Sequence, residues 1–178
     1  MASASRDVKD GATITLLAGP TASGKSALAM QMAASTGALI VNADSQQLYA
    51  DLRILTARPT PDDEARADHA LYGIADAADA WSVGRWSRAV IDVLAQSGDR
   101  PIILVGGTGL YFSALTRGLA DIPPVPAEVR AQVEADYDAL GESVFRARLG
   151  KIDPGPARQI ESGDRQRLVR ALSVWKAT

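Results

Sequence analysis

The octapeptide at residues 19–26, GPTASGKS, constrains the fold of this chain more than any other feature, because it matches the phosphate-binding pattern G-x-x-x-x-G-K-[ST]. It follows an apolar run at residues 13–18 that predicts a buried strand. It also opens residues 25–36, which are rich in the helix formers Ala, Leu and Met. The residues predicted to bind phosphate are therefore Gly19, Pro20, Thr21, Ala22, Ser23, Gly24, Lys25 and Ser26.

Each part of this loop has a chemical task. A glycine-rich turn lets several backbone N–H groups point at one anion, and the helix that follows adds the positive end of its dipole. Lys25 supplies a positive charge to the terminal phosphate, and the hydroxyl of Ser26 is a candidate ligand for Mg²⁺, the expected cofactor. The motif does not specify the phosphate compound. Because most such loops hold ATP or GTP, a small-molecule kinase that uses ATP is one hypothesis.

The remaining strands and helices predict an α/β fold. Apolar runs at residues 38–42 and 101–105 indicate two further buried strands, and Ser82 is a candidate N-cap for a helix at 83–96. Strands alternating with helices predict a P-loop NTPase-like, doubly wound parallel sheet, and continuous apolar strands fit a sheet covered on both faces. After the prolines at 123, 124 and 126 only helices are predicted, at 127–140, 142–149 and 165–176. We therefore expect a P-loop α/β core at residues 1–120 and an appended helical segment at 121–178.

Two further features follow the predicted strands at their carboxyl ends, where doubly wound folds bind their ligands. Asp44 comes just after the second strand, and it is a candidate Mg²⁺ ligand or general base facing the phosphate loop. The alternative is a loop aspartate that forms an Asx turn. Residues 106–109 (GGTG) follow the third strand in place of a Walker B acid, and glycines there would let a ligand or a neighbouring backbone approach closely. A plain strand-to-helix turn is the alternative for these glycines.

Composition excludes several functions. There is no Cys and only one His, so thiolate metal sites, disulfides and a histidine-centred triad are not expected. The first eleven residues are polar and no apolar run is long enough for a membrane span, so we expect a soluble, cytoplasmic monomer with no membrane partner. The net charge is −2, but residues 145–178 carry eight Lys/Arg against three Asp/Glu. This asymmetry permits an anionic partner, and solvated helix faces would explain it equally well.

Six segments in series resemble the motifs of a known family. They are GPTASGKS, NADSQQLY (42–49), TARPT (56–60), WSVGRW (81–86), ILVGGTGLYF (103–112) and DRQRLVRAL (164–172). Their order and spacing resemble those of the tRNA dimethylallyltransferases, also called tRNA isopentenyltransferases. The resemblance runs from about residue 13 to the last residue. A P-loop alone is generic, whereas the ADSxQ, GGTGLY and DRQRxxRA patterns in series are specific.

The resemblance implies transfer of a dimethylallyl group from dimethylallyl diphosphate to the N6 amine of the adenosine on the 3′ side of the tRNA anticodon. It implies that Asp44 and Lys25 are catalytic, with Asp44 as general base, and that the loop at 19–26 binds the donor diphosphate. The positions implied to contact tRNA are Asp44, Ser45, Gln46, Gln47, Thr108, Arg130, Gln166, Arg167, Leu168, Val169 and Arg170. The chemistry agrees, because an exocyclic adenine amine is a poor nucleophile that needs a base, and diphosphate leaves only when its charge is matched.

The chain also departs from the family pattern. Gln46 stands where the family usually has Met, and residues 50–55 (ADLRIL) differ from the usual RGLDIG. Family members usually continue by about half as much again beyond a motif like the final RALSVWKAT, and that part supplies an arginine near the donor diphosphate. The kinase is one alternative to tRNA prenyl transfer. A catalytically incomplete fragment that binds tRNA or diphosphate is a second. An adenylate isopentenyltransferase acting on free nucleotides is a third, and the motif at 166–170 favours tRNA over it.

Overall fold

The computed structural model describes residues 12–120, 122 and 124–178, and it divides into two compact units between Leu119 and Ala120. This division lies one residue from the boundary expected from the sequence. The elements of the first unit are β1 (Ile14–Ala18), α1 (Lys25–Thr36), β2 (Leu39–Asn42), a 3-10 turn (Ala50–Leu52), α2 (Pro61–Arg66), β3 (His69–Ala70), α3 (Val83–Gln96), β4 (Ile102–Gly106) and α4 (Gly109–Arg117). Those of the second are α5 (Ala127–Ile152), α6 (Pro154–Gln159) and α7 (Arg165–Ala177).

The first unit is a parallel sheet with the strand order β1-β4-β2-β3. Because successive side chains point to opposite faces, Ile40 and Ile103 pack with residues of α1, whereas Val41 and Leu104 pack in a cluster with residues of α3 and α4. For this reason β2 and β4 carry apolar residues at successive positions instead of alternating them with polar ones. The predicted doubly wound, P-loop NTPase-like fold is confirmed.

The prediction of a buried first strand is wrong for β1. This strand pairs only with β4 among the described residues, so it forms an edge of the sheet. Leu16 is 41% exposed and Ala18 is also exposed, whereas all five residues of β4 are buried. Both strands are apolar, and their different burial follows from their positions in the sheet, which an apolar run does not specify.

The region between β2 and α3 contains a short strand and a capped helix. The short strand β3 pairs with Ile40 and Val41 of β2. Helix α2 begins with a capping box, in which the Thr60 side chain and Asp63 bond reciprocally. Hydrogen bonds to Thr60 and Arg66 lower the pKa of Asp63 to about 2. The capping box fixes the start of this helix.

The second unit is helical around its own core, as the sequence predicted. Phe145, Leu149 and Leu168 are fully buried in it, with Tyr137 packed edge-on against Phe145 at 5.0 Å between ring centroids. Gly141, at φ 71° and ψ 162°, kinks α5 at the predicted helix end. The following helical stretch continues to Ile152 instead of ending at Gly150, and α6 was not predicted. No helix within the described ranges combines the length and apolar character needed to cross a membrane.

Candidate active site

The phosphate loop connects the end of β1 to the start of α1, as predicted. Its turn needs backbone in the left-handed region at two positions, Ala22 (φ 62°) and Gly24 (φ 80°). Glycine adopts this conformation without a steric penalty, so Gly24 can serve as the N-cap of α1. The Ser23 N–H donates to the Pro20 carbonyl at 3.4 Å, which closes the turn.

The start of α1 presents donors to the same loop. Among the described residues no side chain caps this helix, so the N–H groups of its first turn keep their hydrogen-bonding capacity for a ligand. The ammonium of Lys25 curls back over the loop, donating to the Pro20 carbonyl and, at 3.3 Å, to Ser23 Oγ. Ser26 is exposed in the same first turn. These donors and the positive end of the helix dipole would favour an anion at this position.

Asp44 follows β2 and is half-buried. Its Oδ1 accepts the Gln46 N–H at 2.9 Å, so the Asx turn that was one alternative for this residue does form. In the part of the chain that the structure describes, Oδ2 has no hydrogen-bond donor. One carboxylate oxygen therefore fixes the local turn while the other stays available for chemistry.

The glycines that end β4 stand between the phosphate loop and Asp44, because β4 lies between β1 and β2 in the sheet. A Cβ on Gly106 would overlap the backbone of Ala43, so a side chain is excluded there. A Cβ on Gly107 would lie 3.6 Å from both Asp44 Oδ2 and the Gly19 carbonyl oxygen. These two oxygens are thus at most twice that distance apart, and a side chain at position 107 would lie against both of them.

Thr108 holds the loop that carries Asp44. Its Oγ1 accepts the Ser45 N–H at 3.1 Å, and its own N–H donates to the Ala43 carbonyl at 3.3 Å. The structure therefore brings together three of the residues predicted to contact tRNA, Asp44, Ser45 and Thr108. They lie at the edge of the sheet that carries the phosphate loop. Gln46 is exposed beside them.

Gln47 makes hydrogen bonds to two other segments of the first unit. Its side-chain Nε2 donates to the Thr56 carbonyl at 2.8 Å, and its backbone carbonyl accepts the Gly73 N–H at 2.9 Å. The side chain therefore braces the divergent loop at 50–58. The contact between Gln47 and tRNA remains a prediction.

Three residues that were not predicted from the sequence lie around Asp44 or act on it electrostatically: Asn42, Tyr72 and Tyr111. Asn42 is fully buried and bonds to both the N–H and the carbonyl of Asp44. Burial, followed by the charge of Asp44, raises the pKa of Tyr72. Burial, followed by Tyr49 and Asp44, raises the pKa of Tyr111 to about 12, so both phenols keep their protons at neutral pH. A polar residue ending an apolar strand was the signal that could have pointed to Asn42.

In the second unit, most of the other residues predicted to contact tRNA lie around a groove of about 580 Å³. Its lining includes Arg130, Gln166, Arg167, Val169, Arg170 and Ser173. Leu168 points into the core with no exposed surface, and Val169 is only 5% exposed. Polar contacts from the 166–170 motif can therefore come from the side chains of Gln166, Arg167 and Arg170, with Val169 forming part of the wall.

The positive charge of the C-terminal segment is largely compensated. Residues 120–178 contain nine Lys/Arg and nine Asp/Glu, and Asp136 alone lies within 3.3 Å of both Arg148 and Lys176. Arg165 pairs with Asp138 at 2.8 Å. Arg170 has no ion-pair partner within the ranges that the structure describes. Most Lys and Arg side chains of this unit are therefore paired with its own acids. Of the three described ones that make no ion pair, Lys151, Arg158 and Arg170, only Arg170 lines the groove.

The fold and this site define the chain as a P-loop α/β protein with an added helical unit. Comparison with known families makes the assignment specific: the profile described as IPP transferase matches residues 47–178. The chain is 60% identical over 167 residues to a tRNA dimethylallyltransferase of Phenylobacterium zucineum and 57% identical over 168 residues to one of Caulobacter sp., covering 93% of this chain in each case. The chain belongs to the IPP transferase family. It spans 54% of the length of these two curated relatives.

Solved structures agree on the fold. A tRNA isopentenylpyrophosphate transferase from Bacillus halodurans matches with a TM-score of 0.59 at 29% identity, covering 93% of this chain and 56% of its own. A eukaryotic dimethylallyltransferase acting on tRNA matches with a TM-score of 0.76 at 24% identity, covering 93% of this chain and 41% of its own. The second likeness supports the fold alone.

Proposed function

We propose that this protein transfers a dimethylallyl group from dimethylallyl diphosphate to the N6 amine of the adenosine 3′ of a tRNA anticodon. The observation that carries the proposal is the free Oδ2 of Asp44 facing the phosphate loop across Gly107. A base and an anion site at this separation suit a reaction in which a nucleophile loses a proton while a phosphate group leaves. The names of the relatives support the same chemistry.

Both halves of the reaction have a residue to perform them. The N6 nitrogen attacks the C1 carbon of the dimethylallyl group, the C1–O bond breaks, and its electron pair leaves with the diphosphate. The N6 proton goes to Asp44 Oδ2. The N–H groups of the loop, the dipole of α1 and the ammonium of Lys25 compensate the charge that develops on the diphosphate. No covalent intermediate with the protein is required.

A magnesium ion is part of the proposal. Mg²⁺ prefers a few protein oxygens together with phosphate oxygens and water, so a single hydroxyl at a phosphate loop suffices for it. Ser26 Oγ fits that requirement, being exposed in the first turn of α1. Bound there with diphosphate, the ion would supply further neutralisation of the leaving group.

The tRNA would use the groove of the helical unit. Single-stranded RNA loops are held through phosphate contacts to Arg and hydrogen bonds to splayed bases, and Arg130, Gln166, Arg167 and Arg170 provide both kinds of donor. The target adenine must leave its stack to reach an enclosed base and donor. We further propose that the protein acts as a monomer in the cytoplasm, where unmodified tRNA is available.

Product analysis tests the proposal directly. The 178-residue chain is incubated with dimethylallyl diphosphate, Mg²⁺ and unmodified tRNA under single-turnover conditions. The tRNA is then digested and examined for N6-dimethylallyladenosine. Appearance of the product, lost in Lys25→Ala, supports the proposal. Binding of tRNA and donor without product would identify the chain as an incomplete binding unit. Phosphoryl transfer from ATP with no response to the prenyl donor would favour the kinase, and product on AMP alone would favour a free-nucleotide acceptor.

The groove is tested by binding. Arg170→Ala is compared with Arg158→Ala, an exposed arginine on α6 outside the groove lining. If Arg170 contacts a phosphate, its loss weakens tRNA binding and lowers the salt dependence of the association constant by about one counterion, whereas Arg158→Ala changes neither. Equal effects of the two substitutions would show that the groove is not the RNA site.

A further inference from the structure

Asn42 has a bonding pattern that serves Asp44. It is the last residue of β2, paired in register with Val105 of β4, and it has no exposed surface. Its side-chain Nδ2 donates to the Asp44 carbonyl at 2.9 Å, and its Oδ1 accepts the Asp44 N–H at 2.8 Å. The peptide groups on both sides of Asp44 are therefore attached to one side chain of the central sheet.

The same amide is anchored on two other sides. Its second Nδ2 hydrogen goes to the Leu71 carbonyl at 3.0 Å, on the segment that follows β3. The backbone carbonyl of Asn42 accepts the indole N–H of Trp86 at 2.9 Å, and the Trp86 ring stacks on Tyr111 at 4.1 Å between centroids. Asn42 is thus fixed by β4, by the segment at Leu71 and by α3. It cannot turn without leaving buried polar groups unpaired, which is costly.

We infer that Asn42 is a positioning residue for the general base: it holds the backbone of Asp44, as Thr108 holds that of Ser45, so that Oδ1 closes the Asx turn and Oδ2 points at the phosphate loop. The inference rests on the proposed function for its catalytic consequence. The geometric reason is that an Asx turn ties the Asp44 carboxylate only to the neighbouring Gln46 N–H and does not fix the turn relative to the sheet.

The choice of residue type at position 42 follows from the same bonds. Only a short primary amide offers two donors and an acceptor together. An aspartate there would have no donor for the carbonyls of Asp44 and Leu71, and it would bring a second negative charge near the base. A serine has one donor where two are used. Asparagine is therefore the side chain that satisfies all three backbone groups.

Hydrogen exchange tests the positioning without using the reaction. The reporter is the Gln46 N–H, which donates to Asp44 Oδ1 and, among the described residues, has no hydrogen bond to Asn42. In the wild-type chain we expect this amide to exchange roughly 10-fold or more below the rate of an unstructured peptide, and Asn42→Ala to return it to that rate. Val41→Ala is the matched control, because Val41 is equally buried on the same strand and bonds nothing at Asp44. It should leave Gln46 protected.

A kinetic cycle tests the catalytic consequence. Asn42→Ala should lower the single-turnover rate by roughly 10²-fold, the scale of a misplaced reacting group, while donor and tRNA binding stay unchanged. In an Asp44→Asn background the same substitution should change the residual rate by less than about 3-fold, because the two residues act as one unit. If Asn42→Ala does not fold, Asn42→Ser, which keeps one donor, is used in both experiments.

The outcomes separate this inference from the proposed function. An unprotected Gln46 N–H in the wild type, unchanged protection in the Asn42 variant, or an equal loss of rate in both Asp44 backgrounds would overturn the positioning role. Absence of any prenyl transfer by the wild type would refute the reaction, while the exchange data would still decide whether Asn42 holds Asp44.

Discussion

Substitution by alanine should lower the stability of the protein at Gly106 and the prenyl-transfer rate at the next residue, Gly107. At Gly106 an added methyl would overlap the carbonyl group of Ala43. That carbonyl accepts the Thr108 N–H, and the Ala43 N–H donates to the Val105 carbonyl at 2.8 Å, so Ala43 cannot retreat without breaking the ladder between β2 and β4. We expect Gly106→Ala to cost about 3 kcal/mol, the upper part of the range for overpacked cores. For a chain of this length that corresponds to a fall in Tm of roughly 6–12 °C.

At Gly107 the methyl would make ordinary contacts at 3.6 Å with Asp44 Oδ2 and the Gly19 carbonyl oxygen. The stability should therefore change by no more than about 0.5 kcal/mol. The methyl would fill the gap between the base and the phosphate loop, so we expect the prenyl-transfer rate to fall by roughly 10²-fold or more. The same substitution is thus expected to affect mainly stability at Gly106 and mainly activity at Gly107.

Urea unfolding, thermal melts and single-turnover rates on the two variants provide the measurement. Gly109→Ala is the matched control, because a Cβ there meets no atom within 4 Å and alanine is favoured at the start of a helix. It should keep both stability and rate. A Gly107→Ala variant with the wild-type rate would show that the reaction does not cross this gap. A Gly106→Ala variant with the wild-type Tm would contradict the packing of β2 against β4.

Three further predictions follow from single residues. Lys25→Ala should weaken binding of dimethylallyl diphosphate by roughly 10-fold or more in calorimetry, since a charge-assisted contact is lost, and unchanged affinity would refute the diphosphate assignment. Asp44→Asn should keep tRNA binding and lower turnover by roughly 10²–10⁴-fold, the range for a lost general base, so a near-normal rate would show that Asp44 is not the base. The pKa of Asp63 is lowered in the folded state to about 2, so its contribution to α2 is complete above the unfolded value of about 3.9 and is lost as the pH falls towards 2. The protection factors of the α2 amides, taken against the intrinsic exchange rate at each pH, should accordingly fall over that interval in the wild type and less in Asp63→Asn.

The sequence by itself determined the local parts of this protein. The loop at 19–26 must turn sharply before α1, and glycine at position 24 is what the left-handed backbone there requires. The apolar runs specified the strands β2 and β4 and the covering of the sheet on both faces, while Ser82 marked the start of α3. These features depend on neighbours in the chain, so a pattern of residues is enough to predict them.

Only the tertiary structure decided which of these parts meet. The strand order places β4 between β1 and β2, and this puts Gly107 between the phosphate loop and Asp44. It also leaves β1 at an edge of the described sheet and brings Asn42 to its bonds with Asp44. In the helical unit, the packing of the helices buries Leu168. Pairing between strands far apart in the chain, and the burial that follows from it, depend on all the elements packing together. No local run of residues contains that information.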